Sequence, residues 1–277
     1  MIFENALLSP PLNQYIEAIF HFRHFKPDHS IERVVPTGHI YVIFELDGFE
    51  RHTYDNDTLQ PNANYTKVWI SGQHRHYISI SAHQDSEMFV IQFKPFGAFP
   101  FFHFPVQQLT EQVVASTEVL GNELVDLQAA LLQPETSAEK FRLAQDWLTQ
   151  RYDAQKLPPQ DLIGLLTQLQ QAPVANHYNI IENYPSTQKH LINQFKKYVG
   201  LTPKYYHRIL RFNEILGKIK KEERLPWAQV AYDCGYSDQS HFIKEFRHFS
   251  GFNPQEFLER DLNNEEGNFF PLDREES

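Results

Sequence analysis

Phe195-Lys196-Lys197-Tyr198-Val199-Gly200-Leu201-Thr202-Pro203 returns 51 residues later as Phe246-Arg247-His248-Phe249-Ser250-Gly251-Phe252-Asn253-Pro254. At the same offset Leu191 aligns with Phe242 and Ser186 with Ser237, so one small unit occurs twice. Each copy reads as a capped helix followed by a tight corner into another helix. Ser186 or Thr187, and Ser237 or Asp238, are placed to accept hydrogen bonds from the free N–H groups at a helix start. Gly200 and Gly251 suit the left-handed residue that ends a helix. Thr202-Pro203 and Asn253-Pro254 then supply an N-cap and a proline at the first helical position.

At about 100° per residue, Leu191, Phe195 and Tyr198 share one face of the first helix, as Phe242, Phe246 and Phe249 do in the second. Those faces are expected to be core. The opposite faces carry Lys189, Asn193 and Lys196 in one copy and Ser240, Lys244 and Arg247 in the other. Cationic and polar side chains presented from a rigid helix suit phosphates and base edges in a major groove of double-stranded DNA. Before the second of these helices, Trp227-Ala228-Gln229-Val230-Ala231-Tyr232-Asp233-Cys234-Gly235-Tyr236-Ser237 combines a short helix, small Ala231 at a close crossing, and a glycine able to take positive φ. That is the helix-turn-helix recipe. Pro203–Glu223 reads as one connecting helix of about 20 residues, hence roughly 30 Å. This is close to one turn of DNA, roughly 34 Å.

The stretch from Val230 to Arg247, with Gly251-Phe252-Asn253-Pro254 after it, resembles the C-terminal signature of the AraC family of bacterial transcription regulators. The resemblance covers about residues 157–260 and implies two helix-turn-helix units joined by a long helix. Carried over by position, it implies that Gln239, Ser240, Ile243 and Lys244 face bases or nearby phosphates from the second reading helix, and Lys189, Ile192 and Asn193 from the first. The first unit departs from the pattern. Where the second has Ala231 and Gly235, the first has Ile180 and Tyr184, followed by Pro185, and Asn193 stands where arginine is common in the family. A left-handed turn on tyrosine is disfavoured, so that corner must be built differently.

The rest of the chain gives this block its setting. The 277 residues, 41% apolar, suffice for two domains, each with its own core. The first hundred are rich in runs such as His39-Ile40-Tyr41-Val42-Ile43-Phe44 and Met88-Phe89-Val90-Ile91-Gln92-Phe93, separated by Gly, Asn and Asp clusters, which predicts strands. From Val106 apolar residues fall at three and four spacing, which predicts helices over Val106–Gln133 and Ala138–Tyr152, divided by Pro134. Leu157-Pro158-Pro159 reads as a linker. The expected fold class is α+β: a β-rich, cupin-like regulatory domain over 1–105, a helical segment for dimerisation or linkage over 106–156, an all-α DNA-binding domain over 157–260, and an acidic, flexible tail over 261–277. Val34-Val35-Pro36-Thr37-Gly38-His39-Ile40-Tyr41-Val42-Ile43-Phe44 and Gln92-Phe93-Lys94-Pro95-Phe96-Gly97-Ala98 are similar to the β-rich regulatory domains that precede such DNA-binding domains. That similarity implies a small-molecule effector and a homodimer, with RNA polymerase as a further partner.

A net charge of −10 is unexpected for a DNA binder until it is divided along the chain. Lys and Arg against Asp and Glu number 11 against 19 over 1–156, 13 against 10 over 157–260, and 1 against 6 over 261–277, so only the middle block is basic. No run of about 18 apolar residues suggests a membrane span, and Met1-Ile2-Phe3-Glu4-Asn5 is no basic, apolar targeting segment, so a cytoplasmic location is expected. The single cysteine, Cys234, excludes an internal disulfide and a thiolate metal cage.

Three other readings compete. A metal-dependent cupin-like enzyme would use His74, His76 and His83, with His74 and His76 on one face of a strand. Yet Tyr77-Ile78-Ser79-Ile80-Ser81 offers no carboxylate, and the histidines read better as surface or hydrogen-bonded groups; no cofactor and no catalytic residue is expected. Alkyl transfer would need a reactive thiol, whereas Cys234 reads as a small packed residue. A protein-interaction module would use the run Phe96-Gly97-Ala98-Phe99-Pro100-Phe101-Phe102-His103-Phe104, for which burial between the β domain and its helices is the favoured reading.

Overall fold

The computed structural model describes residues 1–219, 226–261 and 269–273. The alternating runs of the first hundred residues form strands β1 (Ile2–Asn5), β2 (Ile16–Phe25), β3 (Ile31–Val34), β4 (Ile40–Glu45), β5 (Arg51–Tyr54), β6 (Pro61–Tyr65), β7 (Val68–Ser71), β8 (Ile78–Ser81) and β9 (Ser86–Phe93). β10 (Val113–Ala115) and β11 (Phe269–Pro271) join them from further along the chain. All pairings are antiparallel, in two sheets ordered β1-β2-β9-β4-β7-β10 and β11-β3-β8-β5-β6. The sheets face each other where Tyr65 stacks on Trp69 (ring centroids 5.8 Å apart) and where Arg51 Nε and Trp69 Nε1 each donate to the Glu45 carboxylate over 2.7 Å. The N-terminal part of the chain is thus β-rich, as expected.

Eleven helices are described: α1 (Phe99–Phe102), α2 (Thr117–Leu120), α3 (Glu123–Leu131), α4 (Ser137–Arg151), α5 (Gln160–Gln171), α6 (His177–Ile181), α7 (Gln188–Tyr198), α8 (Pro203–Ile219), α9 (Trp227–Asp233), α10 (Gln239–Ser250) and α11 (Pro254–Asp261). The outer face of the larger sheet, with Phe44, Phe89 and Phe93, is covered by helices: Phe89 meets Phe141 of α4 at 5.6 Å, and Phe93 meets Phe101 and Phe102 of α1 at 5.6 and 5.2 Å. In the aromatic run Phe96, Phe99, Phe101 and Phe102 are therefore buried, while His103 is exposed and Phe104 half-buried, and Phe99 packs edge-on against Tyr198 of α7 at 5.0 Å.

Three expectations are corrected. Val106–Gln133 is no single helix: after one short 3-10 turn the chain runs as β10 against β7, where pairing of Val113–Ala115 with Trp69–Ser71 outweighs local periodicity. Gly121, at φ +61°, then separates α2 from α3. The β domain accordingly extends past residue 105. The 261–277 tail is not free at 269–273. Phe269, Phe270 and Pro271 pair with Val34, Arg33 and Glu32, and Asp273 accepts hydrogen bonds from the Ser30 and Ile31 N–H groups at 3.0 and 2.9 Å. The Asn263-to-Gly267 part of that tail lies outside the described residues, as does the 220–223 end expected for the connecting helix.

The β-rich and helical halves share one apolar core. Their seam is drawn by polar contacts at both repeat corners. Thr110 Oγ1 donates to the Gly200 carbonyl (2.6 Å), and Arg33, between the Tyr77 and Phe252 rings, donates to the Ser250 carbonyl (3.4 Å). Between them, Asn213 of α8 donates to the Pro36 carbonyl (3.1 Å).

Candidate nucleic-acid interface

Both repeats fold as capped helices, and local chemistry explains why. Thr187 Oγ1 accepts from the His190 N–H at the start of α7 (3.2 Å), and Asp238 Oδ1 from the His241 N–H at the start of α10 (2.8 Å). That backbone bond and the Ser237 hydroxyl hold the Asp238 carboxyl below the usual carboxylate range. Gly200 and Gly251 have φ of +87° and +74°. Past them, Asn253 Oδ1 accepts from the Gln255 and Glu256 N–H groups at 3.0 Å, while Glu256 accepts from the Asn253 N–H at 2.9 Å, a complete capping box. Gly235, at φ +72°, makes the corner between α9 and α10; a Cβ there would come within 3.0 Å of the Val174 carbonyl oxygen.

The corner of the first unit is built without a left-handed residue. Instead the Tyr184 N–H donates to the Ile181 carbonyl (3.0 Å) and the Ser186 N–H to the Tyr184 carbonyl (2.7 Å). Leu191, Phe195 and Tyr198, and Phe242, Phe246 and Phe249, are all buried as expected. On the opposite faces, Lys189, Asn193 and Lys196 are exposed on α7, and Gln239, Ser240, Lys244 and Arg247 on α10. Ile192 and Ile243 are half-buried, with Ile243 packed against the core. Among the described residues no carboxylate pairs with Lys189, Lys196, Lys244 or Arg247.

Sequence reasoning passed over several residues here. Glu245, on the inner side of α10, gathers Arg208, Arg211 and Tyr236. Tyr205 of α8 donates to the Arg75 carbonyl of the β domain (2.9 Å) and lies 2.6 Å from His248 Nε2. Tyr178 of α6 and Tyr232 of α9 are 55% and 78% exposed, which puts phenols on the leading helix of each unit. Nothing in the repeat marks these contacts, because each depends on residues brought together from different elements.

The first unit also carries an acid-sensitive contact. His207 of α8 is buried beneath His177 of α6, with the rings stacked at 5.2 Å. Burial first, and then the nearby His177 and Arg211, push the His207 imidazole down to about 4. The unfolded chain therefore takes up this proton first as pH falls. Stability is expected to be intact above about 6.5 and to decline between about 6.5 and 4, by at most about 3 kcal/mol. Replacing His207 with leucine should flatten that part of a stability-against-pH curve measured by urea denaturation, and an unchanged slope would count against it.

The histidines of the metal-enzyme alternative are placed differently from expectation. His74 and His76 lie in the loop after β7, not on a strand, and His83 in the loop after β8. Their Nε2 atoms meet Ser71 Oγ (3.0 Å), Glu111 (3.1 Å) and Ser81 Oγ (3.0 Å) respectively. Among the described residues no three metal-ligating side chains converge.

Residues 185–260 match the family described as a helix-turn-helix domain. The C-terminal block is an AraC-type helix-turn-helix domain. The chain is thus a DNA-binding transcription regulator, with a β-rich domain ahead of its AraC-type block. Residues 7–115 match a domain of unknown function, DUF6597, and that match ends where β10 ends. No curated protein matches the chain. Solved structures of ToxT from Vibrio cholerae are similar: one at 1.65 Å resolution is 12% identical, with 87% of this chain and 97% of that one covered and a TM-score of 0.45. ToxT from strain O395 is 13% identical, with 86% and 95% covered and a TM-score of 0.43. ToxT bound to unsaturated fatty acid, from strain SCE256, is 13% identical, with 90% and 97% covered and a TM-score of 0.43. TM-scores below 0.5 are too low for the fold of one chain to stand for that of the other. No helix among the described residues is long and apolar enough to cross a membrane.

Proposed function

We propose that this regulator reads specific DNA sequences with α7 and α10, placed in successive major grooves by α8, and that it acts by binding without catalysing a reaction. The carrying observation is that the outward face of each helix is cationic or polar and, among the described residues, without carboxylate partners, while the inward face and C-terminal corner are held by the core and the β domain. Lys189, Lys196, Lys244 and Arg247 would supply phosphate contacts, and Asn193, Gln239 and Ser240 base contacts, with Ile192 and Ile243 giving apolar contact at the groove floor. Tyr178 and Tyr232 would donate to phosphates from the helices that cross the backbone. The 17 residues of α8 give a spacer of roughly 25 Å.

In this reading the β domain sets the angle between the two units, since it touches the corner after each. A cleft of about 810 Å³, bordered by the β5–β6 hairpin, His74, His76 and Arg247, offers room for a small-molecule effector beside α10. A homodimer and recruitment of RNA polymerase complete the proposal, and the expected place of action is the cytoplasm. The test is binding of the full-length protein to DNA fragments flanking its own gene across a salt series. Binding that prefers some fragments and weakens steeply with salt supports the reading, and equal binding to all fragments counts against sequence recognition.

A further inference from the structure

A reading helix must be held at one rotation about its axis, because a slip of one residue turns its outward face by about 100°. In α10 the buried side chains Phe242, Phe246 and Phe249 turn one face of the helix to the core, and a hydrogen-bonded anchor on the same side adds a directional contact to that packing. Directional contact on the inward side comes from Glu245. This buried carboxylate accepts from Arg208 Nε at 2.9 Å and Arg211 Nη2 at 2.5 Å, both on α8, and from the Tyr236 hydroxyl at 3.0 Å in the corner before α10.

The donors are themselves held. The Arg211 guanidinium lies 4.1 Å over the Tyr236 ring, and that of Arg208 lies 4.6 Å over Tyr205 and 5.3 Å over Phe249. Burial pushes the Glu245 carboxyl up, but Arg211 and Arg208 outweigh it and keep the group below its usual range, hence ionised at neutral pH. Two charged donors one helical turn apart on α8, plus one from the corner, define where this point of α10 sits. The first repeat lacks the arrangement: at the corresponding position Gln194 has a buried side-chain oxygen with no hydrogen-bond partner among the described residues, and its amide lies 3.2 Å from His190 of its own helix.

We propose that Glu245 is the positioning residue of the second reading helix, touching no DNA itself and fixing the rotation at which Gln239 and Ser240 meet base edges and Lys244 meets phosphate. The inference rests on the DNA-reading role proposed above. The two are separable by experiment on the full-length chain, using a duplex enriched from a random pool by the unaltered protein and a scrambled duplex of the same composition.

Glu245→Gln keeps the side-chain size and removes the charge. Its affinity for the enriched duplex is expected to fall about tenfold, with binding to the scrambled duplex and the salt slope unchanged, so that discrimination is what is lost. Tyr236→Phe, which removes one donor and keeps the ring, should show a smaller loss of the same kind, and it decides the matter if the Gln variant does not fold. Retained discrimination in both variants, or a parallel fall on both duplexes, overturns the inference. If the unaltered protein enriches no duplex, the DNA-reading proposal fails and this inference with it.

Discussion

Phe270→Ala is expected to destabilise the full-length chain by about 3–5 kcal/mol, an effect of core size from a residue in an acidic tail. Phe270 is 1% exposed and its ring lies 4.5 Å from that of Phe257, also 1% exposed, which in turn meets Phe246 of α10 at 5.2 Å. The ring thus joins β11, at the edge of the smaller sheet, to the aromatic column behind the second reading helix. Truncation would leave a cavity that the paired strand cannot close by sliding, since Leu272 N–H donates to the Ile31 carbonyl (2.9 Å) and Asp273 holds the far end. Urea denaturation of the two proteins measures this directly. A loss within about 0.5 kcal/mol, typical of an exposed site, would mean that the tail does not pack as described.

The second large effect concerns DNA. Replacing Lys189, Lys196, Lys244 and Arg247 together with alanine should lower the dependence of log affinity on log salt by about one for each phosphate contact removed, hence by three to four in all. Such contacts contribute nothing near 1 M salt, so at physiological ionic strength the same change corresponds to a loss on the order of 10³ in affinity. All four side chains are solvent-facing, so thermal stability should stay within about 0.5 kcal/mol. Splitting the set tests the two units separately. Each pair, Lys189 with Lys196 or Lys244 with Arg247, should remove about half of the slope. A salt slope unmoved by all four substitutions would place the DNA on another surface.

The helical half was legible because its signals are local. Caps at Thr187 and Asp238, glycines at 200 and 251, and prolines at 203 and 254 each act within a few residues, and their recurrence at a fixed offset marked two units before any contact was known. The departure at Tyr184 was legible for the same reason, and the corner is indeed built another way. What was not legible is non-local. β10 resembles helix by spacing but is claimed by the free edge of β7. β11 is three residues long, and its partner Val34 lies 235 positions earlier. Glu245 has no signature in the repeat, because its donors come from α8 and from the corner.

The place of β11 in the smaller sheet bears on how the protein is made. Strand β3 leaves the ribosome early, yet its second neighbour emerges only after 235 more residues, at about 5–20 residues per second. For some tens of seconds the nascent chain therefore presents β3 with an uncovered edge, the kind of template on which unrelated strands add. Emergence of β11 is the event that closes it, so translation that stalls after α11 would leave a chain with one sheet still open to its neighbours.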